Sequence, residues 1–205
     1  MPRQTLVTLD LEGVLTPEIW IAVAEAAGVD ELGRTTRDEP DYDALMRGRL
    51  HLLERHGLTL SAITDVIATL TVLDGARDFL DDLRRRTQVV ILSDTFEQFA
   101  TPFMRQLGWP TILCHSLVVT DDHIVGYRLR QRDQKRRSVE AFAGLEYRVV
   151  AAGDSYNDLS MLIAADAGIW FRAPASIVAE HSQFPAVDSY GELMARIDAA
   201  LVADG

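Results

Sequence analysis

The sequence has very little cysteine: Cys114 is the only one among 205 residues. A single cysteine excludes an internal disulfide and a cysteine-based metal centre, so we expect a buried, unreactive thiol and a reducing, cytoplasmic setting. No apolar run approaches the roughly 18 residues of a membrane-spanning helix. The first residues lead directly into a strand pattern without the layout of a secretory signal. We therefore expect no association with a membrane.

Basic residues are also scarce relative to acidic ones. The sequence has 20 Lys and Arg against 31 Asp and Glu, which gives a formal net charge of −11. Nucleic acids and anionic membranes attract basic surfaces, so neither is an expected partner. A small anionic substrate stays compatible, since a local site can oppose the overall field. Lys135 is the one lysine beside 19 arginines. A compact ammonium kept in such a chain favours a tight site where a guanidinium would not serve, although a single stray surface lysine is also compatible with this composition.

The composition is that of an ordinary globular protein, 48% hydrophobic and 25% charged. From Gly75 onward, strand and helix patterns alternate, which is typical of an α/β fold. Continuous apolar runs predict buried parallel strands, and the turn at Asp121 and Asp122 predicts a hairpin. The predicted strands are 6–12, 89–92, 111–114, 117–120, 124–129, 147–152 and 167–171. We expect a doubly wound, Rossmann-like parallel sheet with a small helical cap inserted after the first strand.

The predicted cap is the segment 16–74, whose apolar residues follow helical spacing and contain no convincing strand pattern. It holds helices over 17–28 and 43–55 and a third that begins at a Ser61 cap. Residues 1–15 and 75–205 then form the catalytic core. Its predicted helices are 76–86, 97–107, 134–142, 155–165 and an amphipathic tail over 190–203.

Chemically active side chains stand where the predicted strands end. The first strand delivers Asp10 and Glu12 to one side, because residues two apart on a strand point the same way. Ser93 ends the second strand, Lys135 begins a helix, and 153–158 follows another strand. Carboxyl ends of parallel strands meet at one edge, where ligands bind. Taken alone, the first stretch is also compatible with an ordinary strand and a polar loop.

These residue types suit phosphoryl transfer through a covalent aspartyl phosphate. A carboxylate serves as nucleophile, and a second acid protonates the leaving oxygen and later activates the acceptor. A hydroxyl and an ammonium hold the phosphoryl oxygens, and a further carboxylate helps bind Mg²⁺, which prefers hard oxygen ligands.

The order Asp-x-Glu, Ser, Lys and Gly-Asp-x-x-Asn-Asp resembles the haloacid dehalogenase-like phosphatases, over the whole chain. The resemblance implies that Asp10 is the nucleophile and Glu12 the acid and base, with Ser93 and Lys135 as phosphate ligands. The same motifs imply an Mg²⁺ site formed by Asp10, Asp154 and Glu12, the last through its backbone carbonyl.

Two residues of the last motif complete the implied site. Asn157 is expected to contact the bound phosphate or the substrate, and Asp158 to orient Lys135 or the waters of the metal.

Two departures from the usual family pattern narrow the resemblance. Glu12 stands where most members have Asp, and Ser-Asp-Thr-Phe at 93–96 replaces the usual Ser-Gly-Gly-Phe. With Pro-Glu-Ile-Trp at 17–20, they are similar to the bacterial ThrH-type phosphoserine phosphatase/homoserine phosphotransferase subgroup. This implies phosphoserine as substrate and homoserine as a possible acceptor, with Glu18 and Arg49 on the amino and carboxylate groups and Asp94 beside them. Glu18 is also compatible with an ordinary acidic residue in the first turn of a helix, and Arg49 with an ordinary arginine on a helix surface.

Three rival interpretations remain at this stage: a phosphatase for another small ester, a receiver domain and a silent phosphate-binding protein. A receiver domain does not explain the helical insertion or the Gly-Asp-x-x-Asn-Asp stretch, and a complete motif set disfavours the silent protein. The oligomeric state is not predicted.

Overall fold

The computed structural model describes residues 3–35, 38–39 and 41–202. The extreme ends of the predicted core and three positions of the predicted cap lie outside this range. Within it, no helix combines the length and apolar character needed to cross a membrane.

A seven-stranded sheet forms the centre of the molecule, in the order β4-β3-β2-β1-β5-β6-β7. All neighbouring strands are parallel except β3 and β4. The strands are β1 (Thr5–Leu9), β2 (Gln88–Phe96), β3 (Thr111–Thr120), β4 (His123–Arg128), β5 (Arg148–Gly153), β6 (Ala167–Phe171) and β7 (Ala186–Val187). The predicted fold class, an α/β protein with a doubly wound parallel sheet, is confirmed.

β1 lies at the middle of the sheet, where Val7 pairs with Val89 on one side and Val150 on the other. Its apolar side chains are fully buried, as expected for a parallel strand covered on both faces. On one side of β1 the sheet continues with β2, β3 and β4, and on the other side with β5, β6 and β7. Such a point of reversal opens a crevice beyond the carboxyl ends of the strands.

Nine helices are described, and most lie within two residues of their predicted bounds. They are α1 (Ile19–Ala27), α2 (Tyr42–His56), α3 (Leu60–Thr69), α4 (Ala76–Arg84), α5 (Glu97–Gln106), α6 (Gln134–Gly144), α7 (Leu159–Ala164), α8 (Ala175–Glu180) and α9 (Tyr190–Val202). The predicted helix over 155–165 is instead a 3-10 turn, Tyr156–Asp158, followed by α7.

The first three helices all come from segment 16–74, whose described residues contain no strand apart from a single bridge between Glu12 and Thr16. The N-cap of α3 lies two residues earlier than predicted, because Thr59 and not Ser61 caps the helix by accepting from Ala62 N (3.2 Å). Ser61 is occupied elsewhere, since its hydroxyl donates to Asp122 Oδ2 (2.5 Å). The limits of the cap as a separate unit stay a prediction.

Three strands differ from their predicted lengths. β1 ends at Leu9, so Asp10 and Glu12 lie in the loop beyond it and not on the strand itself. β2 continues to Phe96 through a register shift after Leu92. β3 joins the two predicted strands 111–114 and 117–120, pairing first with β2 and then with β4.

Candidate active site

Asp10 is the first residue after β1 and is almost completely buried. Its Oδ1 accepts from Leu11 N (2.7 Å) and faces Lys135 Nζ (2.9 Å). Gly13, with φ +77°, lets the loop pass close to β5, because a Cβ at this position would lie 2.5 Å from the carboxyl carbon of Asp154. The loop therefore brings the Asp10 and Asp154 regions together only with glycine at 13.

Lys135, at the start of α6, is 2% exposed and enclosed by carboxylates. Its Nζ lies 2.7 Å from Asp158 Oδ1, 2.9 Å from Asp10 Oδ1 and 3.8 Å from Asp94 Oδ2. Burial alone lowers the pKa of Lys135, but these three carboxylates outweigh it and hold the pKa well above its ordinary value. The side chain is therefore a fixed ammonium at the base of the site.

Asp158 is fully buried, and both of its oxygens are engaged. Oδ1 faces Lys135, whereas Oδ2 accepts from Asp154 N (2.9 Å) and Ser155 N (3.2 Å). A Cβ at Gly153 would collide with this carboxyl group, so glycine is required there as well. Asp158 thus braces the turn after β5 and contacts Lys135; its predicted role, to orient Lys135 or the waters of the metal, stays a prediction.

The carboxylates of Asp10, Asp154 and Asp158 form a cluster whose oxygens lie within 4.8 Å of one another. Burial, Asp158 and Asp154 raise the pKa of Asp10 against the opposing effect of Lys135, so one ammonium does not balance the cluster. A hard cation fits this excess of negative oxygen donors. Asp10 and Asp154 border the open cleft of the site, whereas Asp158 lies behind it against Lys135, so Asp10 and Asp154 are the side chains suited to hold the cation.

Glu12 does not join this cluster through its side chain. Its Oε2 accepts from Ile19 N (2.9 Å) at the first turn of α1. Burial and the nearby Glu18 raise the pKa of Glu12 to about 7, against the Ile19 N–H and Arg49. The carboxyl group can therefore exchange a proton near neutral pH, and a metal contact from Glu12 is restricted to its carbonyl oxygen.

A cleft of about 80 Å³ opens between the sheet edge and the first helices. Eight of the ten predicted site residues line it, namely Asp10, Glu12, Glu18, Arg49, Ser93, Asp94, Asp154 and Asn157. The other two, Lys135 and Asp158, lie behind this surface. The structure therefore brings all ten predicted residues into one region.

Arg49, on α2, is 7% exposed, and its guanidinium lies 4.4 Å from the centre of the Trp20 ring. One terminal nitrogen donates to Arg34 O (2.7 Å), and the other lies 3.7 Å from Met46 Sδ. Burial lowers the pKa of Arg49 to about 10, so it stays charged at neutral pH. Its Nε has no partner among the described residues.

Asp94 also lines the cleft and is held by several donors. Asn157 Nδ2 donates to Asp94 Oδ2 (3.1 Å), and Lys135 and His115 are nearby. Burial opposes ionisation, but Lys135 and His115 outweigh it and hold the pKa of Asp94 well below its ordinary value.

Sequence reasoning missed Trp20 and Tyr42, which line this cleft, and His115, which supports Asp94 from outside it. Trp20 belonged to the motif at 17–20, but nothing in the sequence indicated that it stacks on Arg49. Tyr42 donates from its hydroxyl to Asp94 O (3.1 Å), and His115 reaches Asp94 from β3. Both contacts join residues more than 20 positions apart, so no local pattern shows them.

Comparison with known proteins gives matches across most of the chain. Residues 5–166 match the model of the haloacid dehalogenase-like hydrolases. The chain is 62% identical to "Phosphoserine phosphatase ThrH" of Pseudomonas aeruginosa, covering 90% of this chain and 91% of that protein. It is 60% identical to "Phosphoserine phosphatase" of Pseudomonas syringae pv. tomato, covering 90% and 78%.

Solved structures share the fold at lower identity. A substrate-bound phosphoserine phosphatase complex has a TM-score of 0.77 at 22% identity, and the alignment covers 93% of this chain and 95% of that one.

Proposed function

Because the chain belongs to the haloacid dehalogenase-like hydrolase family, we propose that it is a phosphoserine phosphatase that forms an aspartyl phosphate on Asp10. One observation carries this proposal: buried Asp10 lies between Lys135 and Asp154 at the floor of a cleft whose walls hold Glu18 and Arg49. The names of the two Pseudomonas relatives support the same substrate.

In the first half-reaction, a carboxylate oxygen of Asp10 attacks phosphorus and the bond from phosphorus to the serine oxygen breaks. The Lys135 ammonium and the Ser93 hydroxyl hold the phosphoryl oxygens. Glu12, whose pKa of about 7 leaves part of the population protonated at neutral pH, gives its proton to the departing serine oxygen. Mg²⁺ held by Asp10 and Asp154 would neutralise charge on the transferring group.

In the second half-reaction, Glu12 takes a proton from the acceptor, which attacks phosphorus and breaks the bond to Asp10. Water as acceptor yields inorganic phosphate. The site then returns to its starting state, with Asp10 ionised and Glu12 protonated.

Recognition of the amino acid is assigned to Glu18 and Arg49. The carboxylate of Glu18 pairs with the ammonium of phosphoserine, and the Arg49 guanidinium with its carboxylate. Both side chains line the same cleft as Ser93 and Asp94. Homoserine carries the same two groups, so we extend the proposal to phosphoryl transfer from phosphoserine to homoserine.

A panel of phosphate esters with Mg²⁺, scored by released phosphate, tests the substrate. We expect faster phosphate release from phosphoserine than from sugar phosphates or from phosphoethanolamine, which lacks the carboxylate. Chelation should abolish turnover, and Mg²⁺ should restore it. Equal rates on all esters would favour the alternative, a family phosphatase for another small ester.

The covalent step has its own test, the Asp10→Asn variant, because an amide is a poor nucleophile toward phosphorus. We expect no detectable turnover and no label retained from radioactive phosphoserine, whereas acid-quenched wild-type protein retains label that hydroxylamine releases. The exposed Asp78→Asn change is the control. Near-normal activity of Asp10→Asn would contradict the covalent mechanism.

A further inference from the structure

His115 lies at the point of β3 where pairing changes from β2 to β4. It is 3% exposed, whereas the other four histidines of the chain are all more exposed. Its ring is held by an edge-on contact with Tyr42 (6.0 Å between centroids) and a tilted contact with Phe96 (6.4 Å). A histidine placed so firmly has a defined direction for each ring nitrogen.

The backbone determines which nitrogen carries the proton. Arg130 N–H donates to His115 Nδ1 (3.1 Å), so this nitrogen is an acceptor and the proton of the neutral ring is on Nε2. Nε2 faces Asp94 Oδ1 at 3.5 Å. The imidazole is therefore a donor aimed at the Asp94 carboxylate.

The same carboxylate contacts the catalytic groups. Its Oδ2 accepts from Asn157 Nδ2 (3.1 Å) and lies 3.8 Å from Lys135 Nζ, which in turn lies 2.9 Å from Asp10 Oδ1. A continuous line of contacts thus leads from β3 to the nucleophile.

Asp94 needs such support because it borders two cavities. One is the catalytic cleft, and the other is a cavity of about 430 Å³ lined also by His115, Gln134 and Tyr156. The Asp94 side chain is 27% exposed. Water on either side competes for the carboxylate, and fixed donors are what keep it turned toward Lys135 and Asn157.

We propose that His115 is a positioning residue for phosphoryl transfer, which acts by holding Asp94 so that Asp94 places Lys135 and Asn157. The proposal rests on the proposed function for the identity of the reaction. His115 contacts neither Glu18 nor Arg49, so we expect its loss to lower turnover more than it weakens binding of the amino acid groups.

Single substitutions test this by steady-state kinetics on phosphoserine with Mg²⁺. His115→Phe keeps a ring without a donor, and we expect kcat to fall about ten-fold, as for a lost hydrogen bond to a charged group, with KM within about two-fold. His115→Gln returns a donor near the Nε2 position and should recover most of kcat. Cys114→Ala, at the adjacent buried position, is the control and should keep wild-type kcat.

If His115→Phe fails to fold, as judged by thermal melting, His115→Asn and His115→Gln decide the question. Both are polar, but the shorter asparagine cannot reach Asp94. We expect asparagine to lose kcat and glutamine to keep it, and equal rates for these two variants would overturn the proposal.

A double-mutant cycle separates positioning from a general effect on structure. In an Asp94→Asn background, His115→Phe should change kcat by less than about two-fold, because the residue it acts through is already altered. A second ten-fold loss would overturn the proposal. If wild-type protein hydrolyses p-nitrophenyl phosphate but not phosphoserine, the proposed function fails while the same cycle still tests His115. If the wild-type protein hydrolyses neither ester, both the proposed function and the positioning role of His115 are contradicted.

Discussion

At the scale of single residues, the enclosure of Lys135 explains why the only lysine of the chain stands here. An ammonium is a compact donor that meets Asp10 at 2.9 Å and Asp158 at 2.7 Å from one atom. A guanidinium is a planar fork that needs more room and spreads its charge. The abundance of arginine elsewhere shows that charge alone is not what this position requires.

We therefore expect Lys135→Arg to lower kcat about 100-fold or more, the effect of removing one preorganised donor to a transition-state oxyanion. The reciprocal change Arg136→Lys is the control. Arg136 is partly exposed and pairs with Asp133 and Glu140 at the surface, so this swap should leave kcat unchanged. Wild-type kcat in Lys135→Arg would exclude a tight ammonium site.

Arg49 provides a second test at this scale, since its role depends on the substrate. Arg49→Ala should lower kcat/KM for phosphoserine about 10- to 100-fold, equivalent to a charge-assisted hydrogen bond of about 1.5–3 kcal/mol. The loss on phosphoethanolamine should be much smaller.

The exposed Arg47→Ala on the same helix is the matched control and should affect neither ester. Equal losses on both esters for Arg49→Ala would mean that the stack on Trp20 supports the packing of α1 against α2 and not recognition of the carboxylate.

At the scale of elements, sequence patterns predicted the strands and helices that are long enough, and buried enough, to show a clear apolar pattern. The central strands have continuous apolar runs, and most helices have a clear apolar stripe. α8 has six residues and β7 two, too few for either period to appear. β3 was divided in two because His115 and Ser116 interrupt its apolar run, although both lie on the strand.

The turn between β3 and β4 carries an unexpected link to α3. Leu60 N donates to Asp122 O (2.7 Å), Ser61 N to Asp122 Oδ1 (3.0 Å) and the Ser61 hydroxyl to Oδ2 (2.5 Å). The hairpin thus joins the helical segment 16–74 to the sheet through residues that do not line the cleft. These bonds lower the pKa of Asp122 below its ordinary value.

A carboxyl whose pKa is lowered by folding contributes stability above its unfolded pKa, and this stability is lost as pH falls through the folded pKa. We expect Asp122→Asn to melt below wild type at pH 7, with a gap that narrows below pH 3.8, the ordinary value for Asp. Asp121→Asn, one residue earlier in the turn, is the control and should show no such pH-dependent gap. A gap independent of pH would assign the effect to turn geometry and not to charge.

At the scale of the whole molecule, the topology explains why the site residues could be predicted from widely separated motifs. Parallel strands deliver their carboxyl ends to one edge, so Asp10, Ser93 and Asp154 meet wherever β1, β2 and β5 are neighbours. The resemblance to ThrH-type phosphoserine phosphatases is confirmed by the 62% identity. The stack of Trp20 and the direction of His115 were beyond sequence reasoning, because they follow from how helices and strands pack.

The residues that line the cleft bear on which molecule, water or homoserine, accepts the phosphoryl group from Asp10. Under the proposed function, once Asp10 carries the phosphoryl group and serine has left, Glu18 and Arg49 in the wall of the cleft would still present a pocket for an α-amino acid. Homoserine has the same charged groups and a hydroxyl one methylene further out. Held there, the hydroxyl gains an effective concentration that bulk water matches only through its abundance. Under the proposed function, Glu12 would take its proton as it would that of water, and we expect its length, one methylene more than Asp, to suit an oxygen in a shifted position.

We expect protein incubated with Mg²⁺, phosphoserine and homoserine to form phosphohomoserine, assayed directly beside inorganic phosphate. The fraction transferred should rise with homoserine and saturate, since the acceptor binds before it attacks. Arg49→Ala should lose this transfer while hydrolysis of the phosphoenzyme by water continues, because water needs no grip on a carboxylate. Inorganic phosphate as the sole product at saturating homoserine would make water the only acceptor, and the longer Glu12 would then need another explanation.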